Sequence, residues 1–389
     1  MTRLELPLTP RLADFGTTIF AEMSALAVAT GAINLGQGFP DSDGPPEVRD
    51  AAVAAIMAGH NQYPPGAGIP ELRHAIARHQ QRCYGLEVDP DTEVLVTAGA
   101  TEAIAASLLA LAGPGDEVVT FEPYYDSYAA AIALGGASRR VVTLRAPTNE
   151  FDPGELEAAV TSTTKVLLLN SPHNPSGKVF TRDELDVIAE ICRRHDLIAI
   201  SDEVYEHLTF DGLAHIPLAT LPGMAERTLT IGSAGKTFSF TGWKIGWVTG
   251  PAKLVAAVRT VKQFLTYVSG GPFQHAVAVA LDLPPRVTND LAASLQSKRD
   301  RLAAGLRSAG FEVNIPQGTY FITADIRSVG GVDGLEFCRE LPARAGVVAV
   351  PTQVFYDDES AGRPFIRFAF CKRDEVIDEA VTRLTNMAR

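Results

Sequence analysis

Short runs of β-branched and apolar residues alternate with helix-length patterns between about residues 90 and 250. The runs are EVLVTAG, EVVTFEP, RRVVTL, KVLLLN, LIAISDEVY, TLTIGS and KIGWVTG. Strands separated by helical segments in this way are typical of a mostly parallel sheet with crossover helices. The pattern therefore predicts an α/β fold built on a large, mostly parallel, seven-stranded sheet.

The segment TRDELDVIAEICRRHD, residues 181–196, predicts one of the helices that cover this sheet. Its apolar positions follow the spacing i, i+3, i+4, i+7 and would form one stripe: Leu185, Ile188, Ala189 and Cys192. Acidic residues stand near its start and arginines near its end, as the helix dipole favours. We expect the apolar stripe to pack on the sheet.

A different pattern begins after about residue 285. One long amphipathic helix is followed by four short β-rich runs and a closing helix, which predicts a smaller α+β unit. The first 40 or so residues lack the strand–helix rhythm, and we expect them to pack with this second unit. The predicted organisation is a large domain over residues 45–284 and a small domain over residues 1–44 and 285–389.

Composition narrows the class of protein. A chain of 389 residues that is 46% hydrophobic is long enough for two domains or one large α/β domain. Its 46 acidic against 34 basic residues give a net charge of −12, which argues against nucleic-acid or anionic-membrane surfaces as partners. With no leader-like segment and no apolar run of about 18 residues, a cytoplasmic protein is expected.

The cysteines offer no obvious metal or redox motif. Cys83, Cys192, Cys338 and Cys371 are far apart in the sequence, with no CxxC pair and no apparent Cys/His ligand spacing. We therefore expect four buried thiols and no metal site.

Glycine-containing motifs suggest nucleotide binding at first sight. Gly235–Thr237 has the Gly-Lys-Thr ending of a P-loop, but the glycine required five residues earlier is Thr230, inside a predicted strand. The segments Gly36–Gly38 and Gly66–Gly68 lack the third glycine of a dinucleotide fingerprint. The spacing disfavours a P-loop hydrolase and excludes the dinucleotide motif.

The first of four polar segments at predicted strand ends is TAGATEAIAASLLAL. A strand ends there, Gly99, Ala100 and Thr101 turn the chain, and a long helix begins. Free amides and the positive end of the helix dipole would attract an anion such as a phosphate. The alternative is an ordinary turn with Thr101 as the helix cap.

Two further segments place polar side chains after apolar runs. NSPHNPSG would project the amide of Asn174 from a rigid loop, although its composition also suits a simple turn. In SDEVYEHL, Asp202 ends an apolar run, where a carboxylate is costly without a cationic partner, and Tyr205 follows three residues later. A structural salt bridge is the alternative for Asp202.

The fourth segment, TLTIGSAGKTFSFTGWKIGW, gathers two amines and a hydroxyl around one short loop. They are Lys236, Lys244 and Ser233. One amine could form a covalent bond while the other holds a negative charge in place.

In this order, with EPYYDSY after the first segment and FIRFAF near the end, the motifs extend over nearly the whole chain. They resemble the class I/II aminotransferases, pyridoxal-phosphate enzymes of fold type I. The stretches GTTIFAEMSALA, INLGQGFPD and NQYPPGAGIPELRHAIA are similar to the branch of kynurenine, glutamine and methionine aminotransferases and bacterial N-succinyldiaminopimelate aminotransferases.

The resemblance implies pyridoxal 5'-phosphate as cofactor and assigns roles around its ring. Lys236 corresponds to the lysine that forms the Schiff base and then moves the Cα proton. Asp202 corresponds to the acid that keeps the pyridine nitrogen protonated.

Other ring contacts follow from the same resemblance. Asn174 and Tyr205 would donate hydrogen bonds to the phenolate oxygen of the cofactor, and Tyr125 in EPYYDSY would stack on the ring face. Core packing is the simpler interpretation of Tyr124 and Tyr128, which stand in the same motif.

The phosphate and the interface are implied in the same way. The amides of Ala100 and Thr101 would hold the phosphate, with Ser233 and Lys244 completing the site. Tyr63 in NQYPPGAG would cross a homodimer interface and donate to the phosphate of the neighbouring subunit's cofactor. Two active sites shared between subunits are therefore expected.

The substrate carboxylate is expected on Arg367 in FIRFAF, because a planar guanidinium binds a carboxylate with two parallel hydrogen bonds. Asn174 and Gly36 would help to hold it. Arg363, four residues earlier, is the alternative for the same role.

The predicted function is transfer of an amino group between an L-amino acid and a 2-oxo acid. The alternative is a cysteine-conjugate or cystathionine β-lyase, which the motifs separate poorly from an aminotransferase. The segment SGGPF, residues 269–273, lacks the aromatic residue and histidine of some kynurenine-using relatives, which argues against aromatic substrates.

Overall fold

The computed structural model describes residues 9–13 and 15–387. Its helices are α1 Ile19–Thr30, α2 Pro46–Met57, α3 Pro70–Tyr84, α4 Gly99–Leu111, α5 Asp126–Gly135, α6 Pro153–Ala159, α7 Arg182–Arg194, α8 Ala234–Thr237, α9 Ala252–Lys262, α10 Gly271–Leu281, α11 Arg286–Ser308, α12 Gly334–Ala345, α13 Glu359–Gly362 and α14 Asp374–Met387. Its strands are β1 Ile33–Asn34, β2 Val94–Thr97, β3 Glu117–Glu122, β4 Ser138–Thr143, β5 Thr164–Asn170, β6 Ile198–Asp202, β7 Thr228–Ser233, β8 Gly246–Thr249, β9 Glu312–Asn314, β10 Phe321–Asp325, β11 Val347–Val348, β12 Val350–Pro351 and β13 Phe365–Ala369.

Within the described residues, the large sheet has seven strands in the order β2-β8-β7-β6-β5-β3-β4. Only β8 runs against its neighbours β2 and β7, and the remaining pairs of the sheet are parallel. The predicted α/β fold with a mostly parallel seven-stranded sheet is confirmed. Each apolar run identified in the sequence coincides with one of these strands to within a few residues at either end.

Packing on both faces explains the apolar strands. The inner residues of β5, β6 and β7 are buried almost throughout, as parallel strands covered by helices require. The helix α7 covers one face with its buried apolar stripe. A capping box between Thr181 and Glu184 satisfies the amides at the start of α7.

The C-terminal part forms an antiparallel four-stranded sheet in the order β12-β13-β10-β9, packed with α11, α12 and α14. The N-terminal strand β1 pairs in parallel with β11, and α1 contacts α12. These contacts join α1 and β1 to the C-terminal unit. The domain boundaries at 45–284, 1–44 and 285–389 stay a prediction, and residues 1–8, 14 and 388–389 lie outside the described residues.

One cysteine departs from the expectation of four buried thiols. Cys192, Cys338 and Cys371 are buried, but Cys83 is exposed. The prediction was wrong for Cys83 because this residue lies in the last turn of α3, where the helix leaves the core. None of the described helices is long and apolar enough to cross a membrane.

Candidate active site

The carboxyl ends of the parallel strands open onto a cavity of about 410 Å³. In open α/β sheets, ligands bind at this edge. The C-terminal sheet and the N-terminal segment close the other side, so both parts of the chain contribute. The lining residues are Phe20, Gln37, Gly38, Phe39, Gly99, Ala100, Thr101, Ile104, Tyr125, Tyr128, Asn170, Asn174, Asp202, Val204, Tyr205, Ser233, Gly235, Lys236, Thr241, Lys244, Ile245, Phe321 and Arg367.

Lys236 lies in the short helix α8, which starts directly after β7. Its Nζ donates to Tyr320 Oη at 2.6 Å, and Tyr320 in turn donates to the carbonyl oxygen of Gly38 at 2.6 Å. Burial lowers the pKa of Lys236 to about 8. The amine is therefore held in one position and is more easily deprotonated than an exposed lysine, as a nucleophilic lysine requires.

Asp202 is 4% exposed at the end of β6. Its Oδ2 accepts from Tyr128 Oη at 2.6 Å and its Oδ1 accepts from the Val204 amide at 3.3 Å. Burial raises the pKa of Asp202 to about 6, against the effect of these hydrogen bonds. A buried carboxylate with neutral hydrogen-bond partners suits a positively charged N–H group on a ligand.

Arg367 on β13 is 1% exposed and joins the two sides of the cavity. Its Nη1 donates to Asn174 Oδ1 at 2.9 Å, its Nη2 donates to the Gly36 carbonyl at 3.3 Å, and its guanidinium carbon lies 3.9 Å from the centroid of the Phe321 ring. Burial lowers the pKa of Arg367 to about 10, so the group stays charged at neutral pH. Among the described residues, its buried Nε has no hydrogen-bond partner.

The bond to Arg367 also orients Asn174. Because Arg367 can only donate, the oxygen of the Asn174 amide must face it, and the nitrogen Nδ2 is left as a donor. The backbone amide of Asn174 donates to Asn170 Oδ1 at 2.7 Å, which anchors the loop to β5. Asn174 can therefore serve a ligand as a donor from a fixed loop.

Arg363, the alternative for the carboxylate, is not among the residues that line the cavity. Its half-exposed side chain lies 3.7 Å from Asp333 Oδ2. The geometry thus separates the two arginines, although they are only four residues apart.

The helix α4 begins beside the cavity, with Ala100 and Thr101 in its first turn. Thr101 is not the cap. The residue before the helix is Ala98, whose amide donates to Glu102 Oε2 at 2.6 Å. The amides of the first turn lie beside the cavity at the positive end of the helix dipole, an arrangement that can hold an anion.

Close backbone contacts shape the part of the cavity beside the start of α4. Gly99 has φ of 75°, and a Cβ there would lie 3.3 Å from Lys244 Nζ. A Cβ on Gly246 would lie 2.7 Å from the carbonyl carbon of Gly99. Lys244 itself has φ of 55°, an uncommon conformation for a residue with a side chain. These features bring an ammonium group next to the first amides of α4.

Three other predicted residues also line the cavity. Tyr125 precedes α5, and burial raises its pKa to about 12. Tyr205 is buried, with its ring centroid 5.3 Å from that of Tyr320. Ser233 Oγ accepts from the Gly235 amide at 3.3 Å.

Sequence reasoning missed Tyr128, Tyr320 and Gly38. Tyr128 was assigned to core packing, yet its hydroxyl binds the Asp202 carboxylate. A signal existed in the motif EPYYDSY, because Tyr128 stands three residues after Tyr125, which directly precedes α5 and lines the cavity. For Tyr320 and Gly38 the sequence contains no comparable signal, since 282 positions separate them.

Tyr63 lies apart from these residues. Its side chain is 81% exposed and does not line the cavity. Its ring packs edge-to-face on that of Tyr267, with centroids 5.5 Å apart. Within one chain, the tyrosine does not reach the cavity.

Comparison with known proteins decides the family. The family described as "Aminotransferase class I and II" matches residues 30–384. This chain belongs to that family. The prediction of an aminotransferase of fold type I is confirmed, and the chain transfers an amino group between an amino acid and a 2-oxo acid.

Two curated relatives of this aminotransferase match along most of their length. One is the probable N-succinyldiaminopimelate aminotransferase DapC of Mycobacterium tuberculosis, 53% identical, with 97% of this chain and 98% of the relative covered. Another is the methionine aminotransferase of Escherichia coli strain K12, 40% identical, with coverage of 98% and 99%. The solved structure of N-succinyldiaminopimelate aminotransferase from Mycobacterium tuberculosis superposes with a TM-score of 0.96 and 53% identity, covering 98% of this chain and all of that chain.

Proposed function

We propose that this aminotransferase binds pyridoxal 5'-phosphate in the cavity, covalently through Lys236, and exchanges amino groups there. The observation that carries the proposal is that the amine of Lys236, the carboxylate of Asp202 and the guanidinium of Arg367 open onto one cavity. These groups suit, in turn, the aldehyde of the cofactor, its pyridine nitrogen and the substrate carboxylate.

The ring of the cofactor fits the donors present. The carboxylate of Asp202 would hold the proton on the pyridine nitrogen. The resulting positive charge on the ring would pair with Asp202, whose hydrogen-bond partners Tyr128 and Val204 are neutral. Asn174 Nδ2 and the Tyr205 hydroxyl would donate to the phenolate oxygen, and Tyr125 would stack on the ring face. Bound pyridoxal phosphate would supply an electron-withdrawing ring that stabilises negative charge at the substrate Cα.

The phosphate would rest on the amides of Ala100 and Thr101, with Ser233 and Lys244 beside it. The substrate carboxylate would complete the bonding of Arg367, whose buried Nε donates to none of the residues that the structure describes. Once the substrate amine has replaced Lys236 in the covalent bond to the cofactor, the freed Nζ of Lys236 would accept the proton from the substrate Cα and then donate it to the cofactor.

For the substrate we propose N-succinyldiaminopimelate, the compound in the name of the relative that is 53% identical over 97% of this chain. Tested with 2-oxoglutarate or pyruvate as acceptor, it should show a kcat/KM at least about tenfold above those of alanine, glutamine and methionine. Transamination should dominate, with pyruvate release from a cysteine conjugate only a minor activity. The measurement is a coupled assay of each product over the whole panel.

The outcomes of this panel are distinguishable. A ranking led by methionine would reject the proposed substrate and leave amino transfer intact. Faster elimination than transamination with every donor would instead favour the β-lyase alternative.

We further propose a homodimer with shared sites, in which Tyr63 donates to the phosphate in the neighbouring subunit. Its exposure on a Pro/Gly-rich loop supports this, as do the exposed side chains of Phe264 and Tyr267 nearby in the fold. Each complete site would then need Lys236 from one chain and Tyr63 from the other.

Complementation tests this arrangement. Lys236→Ala and a Tyr63 variant that is itself inactive should recover activity when co-expressed, because a mixed dimer holds one site with both residues intact. Random pairing of equal amounts should restore about a quarter of all sites, since about half of the dimers are mixed and each has one good site of two. If mass spectrometry shows mixed dimers without recovered activity, Tyr63 serves its own subunit.

A further inference from the structure

A second cluster of chemically reactive side chains lies outside the active site. His79 and Cys83 are four residues apart on α3, and His207 comes from the loop that follows β6. One potential ligand atom of each lies within 4.8 Å of the others. Residues at i and i+4 share a helix face, so α3 presents a nitrogen and a sulfur ligand together.

The histidine pair is unusual for a purely structural contact. The Nε2 atoms of His79 and His207 are 2.8 Å apart, so one must carry a proton and the other must not. His79 is buried, and its Nδ1 has no hydrogen-bond partner among the described residues. Whichever tautomer it adopts, His79 keeps a buried polar atom unsatisfied, which costs stability.

A buried carboxylate completes the surroundings. Glu206 is 6% exposed, and its Oε1 lies 4.0 Å from His207 Nε2. The groups around its carboxylate include the rings of His79 and His207 and the hydroxyl of Tyr84. A cation bound among these side chains would compensate the buried negative charge.

The site is also accessible. These residues border a cavity of about 380 Å³, and Cys83 is exposed at its edge. An ion could therefore enter without unfolding of the chain.

We propose that His79, Cys83 and His207 bind a divalent transition-metal ion of the zinc class, with the negative charge of Glu206 beside them. Imidazole, thiolate and carboxylate are the ligands that zinc takes in tetrahedral sites, at about 2.0 to 2.3 Å. At such bond lengths, ligand atoms are about 3.3 to 3.8 Å apart, so small side-chain rotations would suffice. The thiol of Cys83 would lose its proton on binding.

The position of the proposed metal site indicates how a bound ion would affect the active site. His207 and Glu206 directly follow Tyr205, and the same loop begins after Asp202. A bound ion would tie this loop to α3 and so stabilise the segment that carries two residues of the active site. The proposal is independent of which amino acid the enzyme uses.

Metal content provides the first test. The holoenzyme, stripped with a chelator and then dialysed against Zn²⁺, should retain one equivalent per chain by elemental mass spectrometry. Cys83→Ser and His207→Gln should lose that equivalent, whereas His195→Gln should keep it. His195 is the matched control, because it is a histidine hydrogen-bonded to the carboxylate of Glu157 and lies outside the cluster.

Protection of the Cys83 thiol from alkylation gives a second test, which begins with the unmodified enzyme. Alkylation of Cys83 by iodoacetamide, followed by peptide mapping, should slow by at least about tenfold when Zn²⁺ is present. In His207→Gln the protection should be lost, with circular dichroism used to establish that the variant is folded. Equal alkylation rates with and without Zn²⁺, or one retained equivalent in Cys83→Ser, would overturn the proposal.

Discussion

Replacing Lys236 with alanine should lower the turnover of transamination by at least about 10³-fold. On the proposed roles of Lys236, the variant would lose both the covalent attachment of the cofactor and the amine that moves the Cα proton, and general acid–base catalysis alone contributes about 10² to 10⁴ in rate. Among the described residues, Lys236 is the amine that Tyr320 holds in this position, through a chain of hydrogen bonds to the carbonyl oxygen of Gly38. Single-turnover kinetics with saturating cofactor would measure the loss.

Lys244→Ala is the matched control, since Lys244 is the second amine that lines the cavity. It should weaken cofactor binding and keep the covalent linkage. Borohydride reduction of the unmodified enzyme, followed by peptide mapping, should place the pyridoxyl group on Lys236. A pyridoxyl group on Lys244 would show that the two lysines have been assigned the wrong roles.

Arg367→Lys should reduce kcat/KM for amino acids and 2-oxo acids alike, on the order of 100-fold. Lysine keeps the charge but cannot make the two parallel hydrogen bonds of a guanidinium to a carboxylate. A hydrogen bond to a buried charged group contributes about 2 to 3 kcal/mol, and about 1.4 kcal/mol corresponds to a factor of ten. The variant would also lose the bonds to Asn174 and Gly36 that orient the side chain.

The control for this prediction is Arg363→Lys. Because Arg363 is half-exposed and lies beside Asp333 rather than in the cavity, the change should leave steady-state constants nearly unaltered. Steady-state kinetics in both directions of the reaction would compare the two variants. Similar losses in both would refute the assignment of the substrate carboxylate to Arg367.

The strands and covering helices could be predicted because their signals are local. The run Val166 to Leu169 is apolar at every position, which identifies a strand that is buried on both faces. For α7, the apolar stripe and the Thr181–Glu184 capping box occur within one segment of the sequence. Such features depend on neighbours only a few residues away.

The positions of Asp202, Asn174 and Lys236 could be predicted for a related reason. Asp202 ends β6, Asn174 and Lys236 follow β5 and β7 within a few residues, and parallel strands bring their carboxyl ends to one edge. Their chemical roles came from the family resemblance and remain to be tested by the variants above.

The exposure of Cys83 and its proximity to His207 could not be predicted from local sequence signals. The helix α3 and the loop after β6 are more than a hundred residues apart, and the distance between His79 and His207 depends on how the two pack. His79 and Cys83 share a face of α3, but a single His–Cys pair at i and i+4 does not match a known zinc motif in the sequence.

By itself, the sequence determined the seven strands, the covering helices and the set of polar residues at the strand ends. Hydrophobic periodicity and backbone hydrogen bonding act over a few residues, so the sequence signals that predict strands and helices are local. The tertiary structure alone decided which of the two arginines faces the cavity, that Tyr128 binds Asp202 and that Tyr320 positions Lys236. These contacts join residues 74 to 331 positions apart. The bond between Tyr128 and Asp202 depends on how α5 packs beside the large sheet, whereas the bonds of Lys236 to Tyr320 and of Asn174 to Arg367 form only because the C-terminal unit packs against the strand ends.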